Sequence, residues 1–377
     1  MIYLDHAATT PIPRPVADAM YQVLTEQFGN PSAQYPLGRE AARLVEEGRA
    51  LIAGALGCGP ERLRFTSCGT ESDNWAIQAA VWQGRHVGKH IITTAVEHSA
   101  VLEPCRFLQQ QGYEVTYLRP GRDGQVTVEQ VADALREDTV LVSMMLVNNE
   151  TGSVFPVRET AELLRRRSSR ALLHCDAVQG FLKVPCDPAL WGVDLMSLSA
   201  HKLGGPKGIG ALYIGPALRN PRPLLPGGGQ EGGLRSGTEA TAQIAGFAKA
   251  VQLRQEGLAD KLTHMAALKE RCREQLLAIP GVVPVGAGQA PHILSVSLVG
   301  YPSANIVTEL GAQGICISAG SACHKGKSSH VVSALGLDKR TAAGVIRISF
   351  GPENTEADVD ALVQALLAHK NNRFPML

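Results

Sequence analysis

VDLMSLSAHKLGGPKGIGALYI, residues 193–214, consists of two short apolar runs of strand type on either side of a polar turn that is rich in glycine. His201 and Lys202 lie at the start of this turn. Because glycine has no Cβ, it lets the backbone approach a ligand closely. A lysine in such a turn can form a Schiff base with a carbonyl cofactor, and pyridoxal phosphate is the commonest one. A solvated surface lysine is the alternative interpretation.

Strand-like and helical patterns alternate along the chain before this segment. The strand-like runs are RLRFTS, HIITT, EVTYL, VLVSMMLV and ALLHCD, and helical patterns at 70–82 and 99–111 lie among them. This alternation predicts an α/β fold whose sheet is mostly parallel and covered by helices on both faces. A helical pattern over 240–277 then leads to the runs VVPV, ILSVSL, ICIS and VIRISF, which predict a smaller second domain.

The length of 377 residues exceeds what one simple core usually covers. We therefore expect an N-terminal arm at 1–15 packing with the small domain, a large cofactor-binding domain at 16–250, and a small C-terminal α+β domain at 251–377. The small domain carries a loop that contains Cys323.

Charge and hydropathy argue against several classes of protein. The chain has 36 Lys and Arg against 35 Asp and Glu, a net charge of +1, which argues against direct binding to nucleic acid or a membrane surface. The N-terminus carries no secretory pattern and no run of about 18 apolar residues occurs, so we expect a cytoplasmic protein. The 8 cysteines include no CxxC pair, which suits neither a zinc ribbon nor a disulfide scaffold.

Polar residues follow five of the predicted strands, at the edge where a parallel sheet binds its ligands. They are residues 66–71, 97–98, 148–152, 176–179 and 199–202. The turn at 68–71 opens a helix whose free N–H groups would attract a phosphate, unless it is an ordinary strand–helix turn. Asp176 ends an apolar strand, where a buried carboxylate needs a partner such as a protonated ring nitrogen. A helix N-cap is the alternative for Asp176.

Two residues of the small domain also carry chemistry. Cys323 lies in the loop SAGSACHKGKSSH, whose basic residues favour the thiolate, so it is a candidate nucleophile. Arg347 lies in the apolar strand VIRISF and needs an anionic partner. That partner is either a substrate carboxylate or an Asp or Glu of the chain.

Ten segments in order resemble the motifs of the cysteine desulfurases, which are class V members of the fold type I pyridoxal phosphate enzymes. The segments are YLDHAATT (3–10), FGNPS (28–32), FTSCGTESDN (65–74), EHSAV (97–101), VNNETG (147–152), HCDAVQ (174–179), SAHKLGGPKGIG (199–210), RSGT (235–238), GSAC (320–323) and IRISFG (346–351). The resemblance covers nearly the whole chain and points to the long-loop group I branch. It implies a homodimer, with a mostly parallel seven-stranded sheet in the large domain. Cys68 departs from the family pattern, which has glycine there.

The resemblance also implies a role for each matching residue. Lys202 would form the Schiff base with pyridoxal 5'-phosphate, His98 would stack on its ring, and Asp176 would pair with the ring nitrogen. The other implied contacts are Gln179 and Asn149 to the ring substituents, Gly69, Thr70, Ser199 and His201 to the phosphate, Thr238 to the phosphate from the partner subunit, and Arg347, Asn30 and Asn149 to the substrate.

The implied reaction converts L-cysteine to L-alanine, with Lys202 as the proton shuttle and His98 as an acid–base helper. Sulfur would pass as a persulfide on Cys323 to an acceptor, a scaffold or sulfur-relay protein, for iron–sulfur cluster, thio-cofactor or tRNA synthesis. No resident metal is implied, although Cys323 could contact a nascent iron–sulfur cluster. The alternatives are a selenocysteine lyase, another class V enzyme such as an aminotransferase, and a non-catalytic sulfur-relay dimer.

Overall fold

The computed structural model describes residues 1–320 and 329–376, so Cys323 lies outside the described residues. The strands are β1 (Ile2–Tyr3), β2 (Leu63–Thr66), β3 (His90–Thr94), β4 (Glu114–Leu118), β5 (Thr139–Met145), β6 (Leu172–Asp176), β7 (Leu195–Ser199), β8 (Gly210–Ile214), β9 (Val282–Pro284), β10 (Ile293–Leu298), β11 (Ile315–Cys316), β12 (Ser318–Ala319) and β13 (Val345–Ser349). The α-helices are α1 (Arg14–Thr25), α2 (Pro36–Ala55), α3 (Gly69–Gly84), α4 (Ser99–Gln110), α5 (Val128–Ala134), α6 (Val157–Arg166), α7 (Pro188–Trp191), α8 (Thr241–Gln255), α9 (Leu258–Leu277), α10 (Ser303–Ala312), α11 (His330–Ala334), α12 (Lys339–Ala343) and α13 (Glu356–Asn372).

The large sheet has the strand order β2-β8-β7-β6-β5-β3-β4. Strand β8 is antiparallel to both of its neighbours, and the other neighbouring pairs are parallel. The predicted α/β fold with a mostly parallel seven-stranded sheet is therefore confirmed over the described part of the chain. In this order the strands β7, β6, β5 and β3 lie side by side, so the polar residues that follow them share one edge.

Helices cover both faces of this sheet, which explains why its central strands read as continuous apolar runs. Successive residues of one strand point to opposite faces. Leu195 of β7 packs with Trp75 and Ile77 of α3 on one face, while Met196 joins the core formed with α2 and α8 on the other. Each fully buried Leu or Met side chain stabilises the fold by roughly 1.5–3 kcal/mol.

The C-terminal part of the chain builds a separate antiparallel sheet in the order β12-β13-β10-β9. Helices α9, α10 and α13 pack on it through a second apolar core. The N-terminal arm joins this part, because β1 pairs in parallel with β11 and Leu4 is buried in the same core. We propose the division at 1–15, 16–250 and 251–377, with its second boundary inside α8.

Two elements differ from the sequence patterns. The single helical pattern over 240–277 is divided into α8 and α9, because Gly257 precedes α9 with a φ of +60° that glycine adopts readily. The run ICIS is divided between β11, which pairs with β1, and β12, which pairs with β13. Within residues 1–320 and 329–376, no helix is both long and apolar enough to cross a membrane.

Candidate active site

Lys202 ends a 3-10 turn that follows β7 directly, at the predicted edge of the sheet. Its Nζ donates hydrogen bonds to the backbone carbonyls of Ala7 and Ala8, each at 2.8 Å. Thr10 ties the arm to the same turn, since its hydroxyl donates to the carbonyl of His201 at 2.9 Å and accepts from the N–H of Gly204 at 2.7 Å. The arm therefore forms one wall of the lysine site.

Asp176 ends β6, in the same sheet edge as Lys202, and is buried. Its Oδ1 accepts a hydrogen bond from the N–H of Val178 at 2.9 Å. Burial, and then the nearby carboxyl of Asp73, raise the pKa of Asp176 to about 7. A cationic ring nitrogen beside this carboxyl would offset the cost of burying its charge.

His98 is the N-cap residue of α4, and its Nδ1 accepts from the N–H of Ala100 at 3.2 Å. In the neutral ring this leaves the proton on Nε2. Burial lowers the pKa of His98, and Lys202 lowers it further, while Asp176 acts in the opposite direction. The structure therefore brings His98 into the same electrostatic environment as Lys202 and Asp176, in its neutral form.

The first turn of α3 lies beside the end of β7. A Cβ placed on Gly69 would approach Val178 Cγ2 to 2.8 Å and Ser199 Cβ to 3.5 Å, so a side chain does not fit there. The N-cap residue Cys68 makes no side-chain hydrogen bond to the helix, and Thr70 is exposed. Residues 68–71, at the start of α3, thus have the close backbone approach and the open helix N-terminus that a phosphate favours, and we call them the phosphate cradle.

His201 and Gln179 contact the arm. Nδ1 of His201 lies 3.2 Å from the Thr9 hydroxyl, and burial followed by Lys202 lowers the pKa of His201 to about 4. The Gln179 amide donates to the carbonyl of Ala7 at 2.8 Å. Both side chains therefore lie in the wall that surrounds Lys202.

Arg347 lies on β13 and is buried, with the chain's own carboxylate as its partner. Its guanidinium donates to Asp5 Oδ1 at 2.7 Å and to the carbonyl of Asn149 at 2.8 Å. The Nε atom of Arg347 has no hydrogen-bond partner among the described residues. The structure thus shows the ion pair that the sequence left as one of two alternatives, and contact of Arg347 with a substrate carboxylate stays a prediction.

Two other predicted site residues, Asn30 and Thr238, make no described hydrogen bond to the residues around Lys202. Asn30 is exposed, and its Oδ1 accepts from the N–H of Ser32 at 2.9 Å. Thr238 is also exposed. Their predicted roles, substrate binding and contact with the cofactor of a partner subunit, remain predictions.

A buried carboxyl that the sequence analysis did not single out lies beneath the site. Asp73 Oδ1 is 3.4 Å from Nε2 of His174, and burial raises the pKa of Asp73 to about 7. The sequence could have pointed to Asp73, because it is an acidic residue within the motif FTSCGTESDN and lies on the buried face of α3. In the described part of the chain, no group of three or more His, Cys, Asp or Glu could hold a metal ion.

The raised pKa of Asp176 predicts how the stability of the cofactor-free protein depends on pH. The folded chain keeps a proton at Asp176 up to about pH 7, whereas the ordinary pKa is 3.8. Stability is therefore lost as the pH rises through this window, by up to about 1.4 kcal/mol per pH unit for each such group. Asp176→Asn should flatten the decline measured by urea unfolding between pH 5 and 8.

The matched control for this prediction is Asp133→Asn, which changes an exposed carboxyl. Asp73 keeps its own raised pKa, so some decline should persist in the Asp176 variant. A decline of the same slope in wild type and Asp176→Asn would show that Asp176 is already ionised in the folded protein.

The fold and a lysine at this sheet edge are typical of the fold type I pyridoxal phosphate enzymes. Residues 2–362 match the model of the aminotransferase class-V family. The chain is 39% identical to the cysteine desulfurase IscS of Methanosarcina thermophila, over 97% of this chain and 91% of the relative. It is 43% identical to the cysteine desulfurase IscS of Azotobacter vinelandii, over 95% and 90% of the two chains. A solved structure described as a NifS-like protein has a TM-score of 0.93 and 35% identity, over 99% of this chain and 100% of that one.

The chain therefore belongs to the aminotransferase class-V family, in its cysteine desulfurase branch. The predicted family and the fold type I architecture are confirmed. Membership in this family implies pyridoxal phosphate as the cofactor.

Proposed function

We propose that this protein is a cysteine desulfurase that converts L-cysteine to L-alanine and passes the sulfur to an acceptor protein. The observation that carries the proposal is that the neutral His98 lies within electrostatic range of both Lys202 and the buried Asp176. The high identity to proteins named cysteine desulfurase supports the choice of reaction.

The residues at the site fit pyridoxal 5'-phosphate. Asp176 is a buried carboxyl that gains from a cationic partner, and Gly69 lies where a Cβ would collide. We assign Lys202 to the covalent attachment, Asp176 to the ring nitrogen and His98 to the ring face. The remaining contacts are assigned to Gln179 and Asn149 for the ring substituents, and to Gly69, Thr70, Ser199, His201 and the partner subunit's Thr238 for the phosphate. When bound, the cofactor supplies an electron sink for the charge left by loss of the substrate α-proton.

Proton movements are assigned to two side chains of this site. The Lys202 amine takes the α-proton, and the arm carbonyls of Ala7 and Ala8 hold that amine in place between steps. His98 carries its proton on Nε2 and can exchange it at the leaving sulfur. The three elements β7, α4 and the arm thus position the acid–base groups.

Sulfur transfer is assigned to Cys323. Its thiolate forms a bond to the substrate sulfur as the bond from that sulfur to the substrate Cβ breaks. The Cβ then takes up a proton, and Lys202 returns a proton to the α-carbon to give alanine. The product is a persulfide on Cys323, which an acceptor such as a scaffold or sulfur-relay protein would take. We propose a cytoplasmic homodimer that serves iron–sulfur cluster or thio-cofactor and tRNA synthesis.

The substrate carboxylate is assigned to Arg347, with Asn149 and Asn30 as further contacts. Arg347→Ala should raise KM about 10- to 100-fold, the effect of losing a charged hydrogen bond of about 1.5–3 kcal/mol. Steady-state kinetics with L-cysteine measures this change.

Asp5→Asn is the matched control, because it removes the partner of the same ion pair and leaves the guanidinium in place. A purely structural Arg347 would give the two variants the same loss of thermal stability and an unchanged KM. A KM that rises in Arg347→Ala alone supports substrate binding.

The test of the proposed function is incubation of the purified protein with L-cysteine, followed by assay of alanine and sulfide. Intact-mass and peptide analysis should locate one added sulfur atom on Cys323. Alanine together with this persulfide supports the reaction and the nucleophile. A protein with bound cofactor that produces neither would rule out desulfuration of cysteine by the protein alone.

A further inference from the structure

A cavity of about 500 Å³ lies between the N-terminal arm, the junction of α8 with α9, and the C-terminal sheet. It is bounded by the arm from His6 to Pro15, by Lys202–Gly204 of the turn, and by residues on α8 and in the segment 350–353. No residue assigned above to the cofactor phosphate or the substrate carboxylate lines it. It is therefore a space separate from those two contacts.

Two buried basic side chains line this cavity, and neither forms an ion pair with a carboxylate among the described residues. The Lys183 ammonium, 5% exposed, donates to Gln179 Oε1 at 3.3 Å. Within the described residues, the Arg254 guanidinium, 8% exposed, reaches the carbonyl of Leu182 at 3.4 Å and the sulfur of Met265 at 3.7 Å. The buried guanidinium of Arg254 needs a compensating charge, and burial lowers the pKa of Lys183 well below its usual range. An anion in the cavity would compensate the first and favour the charged form of the second.

A third polar side chain in the wall, His292, has one ring nitrogen without a hydrogen-bond partner among the described residues. His292 is 1% exposed, and its Nε2 lies 3.4 Å from Gln179 Oε1. Its Nδ1 has no hydrogen-bond partner within the part of the chain that the structure describes. The carboxylate of Glu353 lies at the half-exposed rim, 3.6 Å from Nε2 of His6, and does not reach this group of donors through any described hydrogen bond.

Thr10, Glu256 and Lys261 also line the cavity, and the rest of the wall is largely apolar. It includes the side chains of Pro11, Ile12, Leu203, Leu253 and Phe350. An inorganic anion would leave these side chains without contacts, whereas an organic acid would bury its hydrocarbon part against them. The combination of a cationic end and apolar walls therefore defines the ligand as amphipathic.

We propose that this cavity binds a small organic carboxylate with a short apolar chain, its carboxylate facing Lys183 and Arg254. The site goes beyond the proposed desulfurase activity and does not depend on it. Because Lys202 itself lines the cavity and Gln179 bonds to Lys183, an occupant would lie directly beside the proposed active site.

The test uses the full-length protein with its cofactor and isocaproate as the probe, in a ligand-observed NMR titration. Arg254→Gln should weaken isocaproate binding about tenfold or more, because a charge-assisted hydrogen bond is lost. The neutral analogue isocaproamide should bind wild type more weakly by a similar factor. Arg271→Gln, a partly buried α9 position paired with Asp360 and outside the cavity lining, is the matched control and should bind as wild type does.

Two further variants keep the proposal testable. Ala250→Leu fills the cavity from α8 without changing charge and should also abolish binding, which covers the case in which Arg254→Gln does not fold. Arg347→Gln should leave binding unchanged, since that residue belongs to the proposed substrate site. The proposal is overturned if isocaproate does not bind, if the amide binds equally well, or if Arg347→Gln rather than Ala250→Leu removes binding.

Discussion

Lys202→Ala should give a folded protein that purifies without the visible absorbance of bound cofactor and turns over L-cysteine at least about 10³-fold more slowly. The substitution removes both the proposed attachment point and the proposed proton carrier. It also removes the two hydrogen bonds to the carbonyls of Ala7 and Ala8. Absorbance spectra and alanine release measure the two effects separately.

The matched control is Lys207→Ala, because Lys207 is an exposed lysine of the same glycine-rich turn. Lys202→Arg separates anchoring from chemistry, since a guanidinium can still donate to the arm carbonyls but is not a nucleophile at neutral pH. An absorbance retained in Lys202→Ala, and fixed to the protein by borohydride, would place the Schiff base on another lysine.

The sequence predicted the sheet and its edge because both depend on local chemistry. A strand buried on two faces must be largely apolar, and β6 reads as LLHCD with Asp176 as its last residue. Its one internal polar residue, His174, is hydrogen-bonded to Ser143 and Ser197. Residues at or just after the end of such a strand lie at the edge where ligands bind. This rule predicted that His98, Asp176 and Lys202 lie at the same edge. These placements needed no knowledge of which strands are neighbours.

Contacts between distant parts of the chain could not be predicted in the same way. The ion pair of Arg347 with Asp5 joins residues 342 positions apart, and the sequence offered a substrate carboxylate as an equally good partner. Gly257 is another case, because a single glycine is tolerated inside a helix at a cost of about 1 kcal/mol, so the periodicity did not show where the helix breaks. The ion pair depends on packing of the arm against the C-terminal sheet, and the helix break depends on the left-handed backbone at Gly257.

Cys323→Ser should retain bound cofactor and affinity for L-cysteine but release alanine at least about a hundredfold more slowly. A serine hydroxyl does not ionise near neutral pH and is a much weaker nucleophile toward sulfur than a thiolate. The neighbouring His324, Lys325 and Lys327 favour the thiolate in the wild-type sequence. Alanine assays and binding of L-cysteine, followed by the cofactor spectrum, distinguish the lost step from lost binding.

The control for this variant is Cys68→Ser, which changes a half-buried cysteine next to the proposed phosphate cradle. Normal turnover in Cys68→Ser together with a missing persulfide in Cys323→Ser would assign sulfur transfer to one thiol. Near-normal turnover in Cys323→Ser would instead mean that the sulfur leaves without a protein nucleophile. The site around Lys202 would then need only its acid–base groups, as expected of a lyase that releases sulfide or selenide directly.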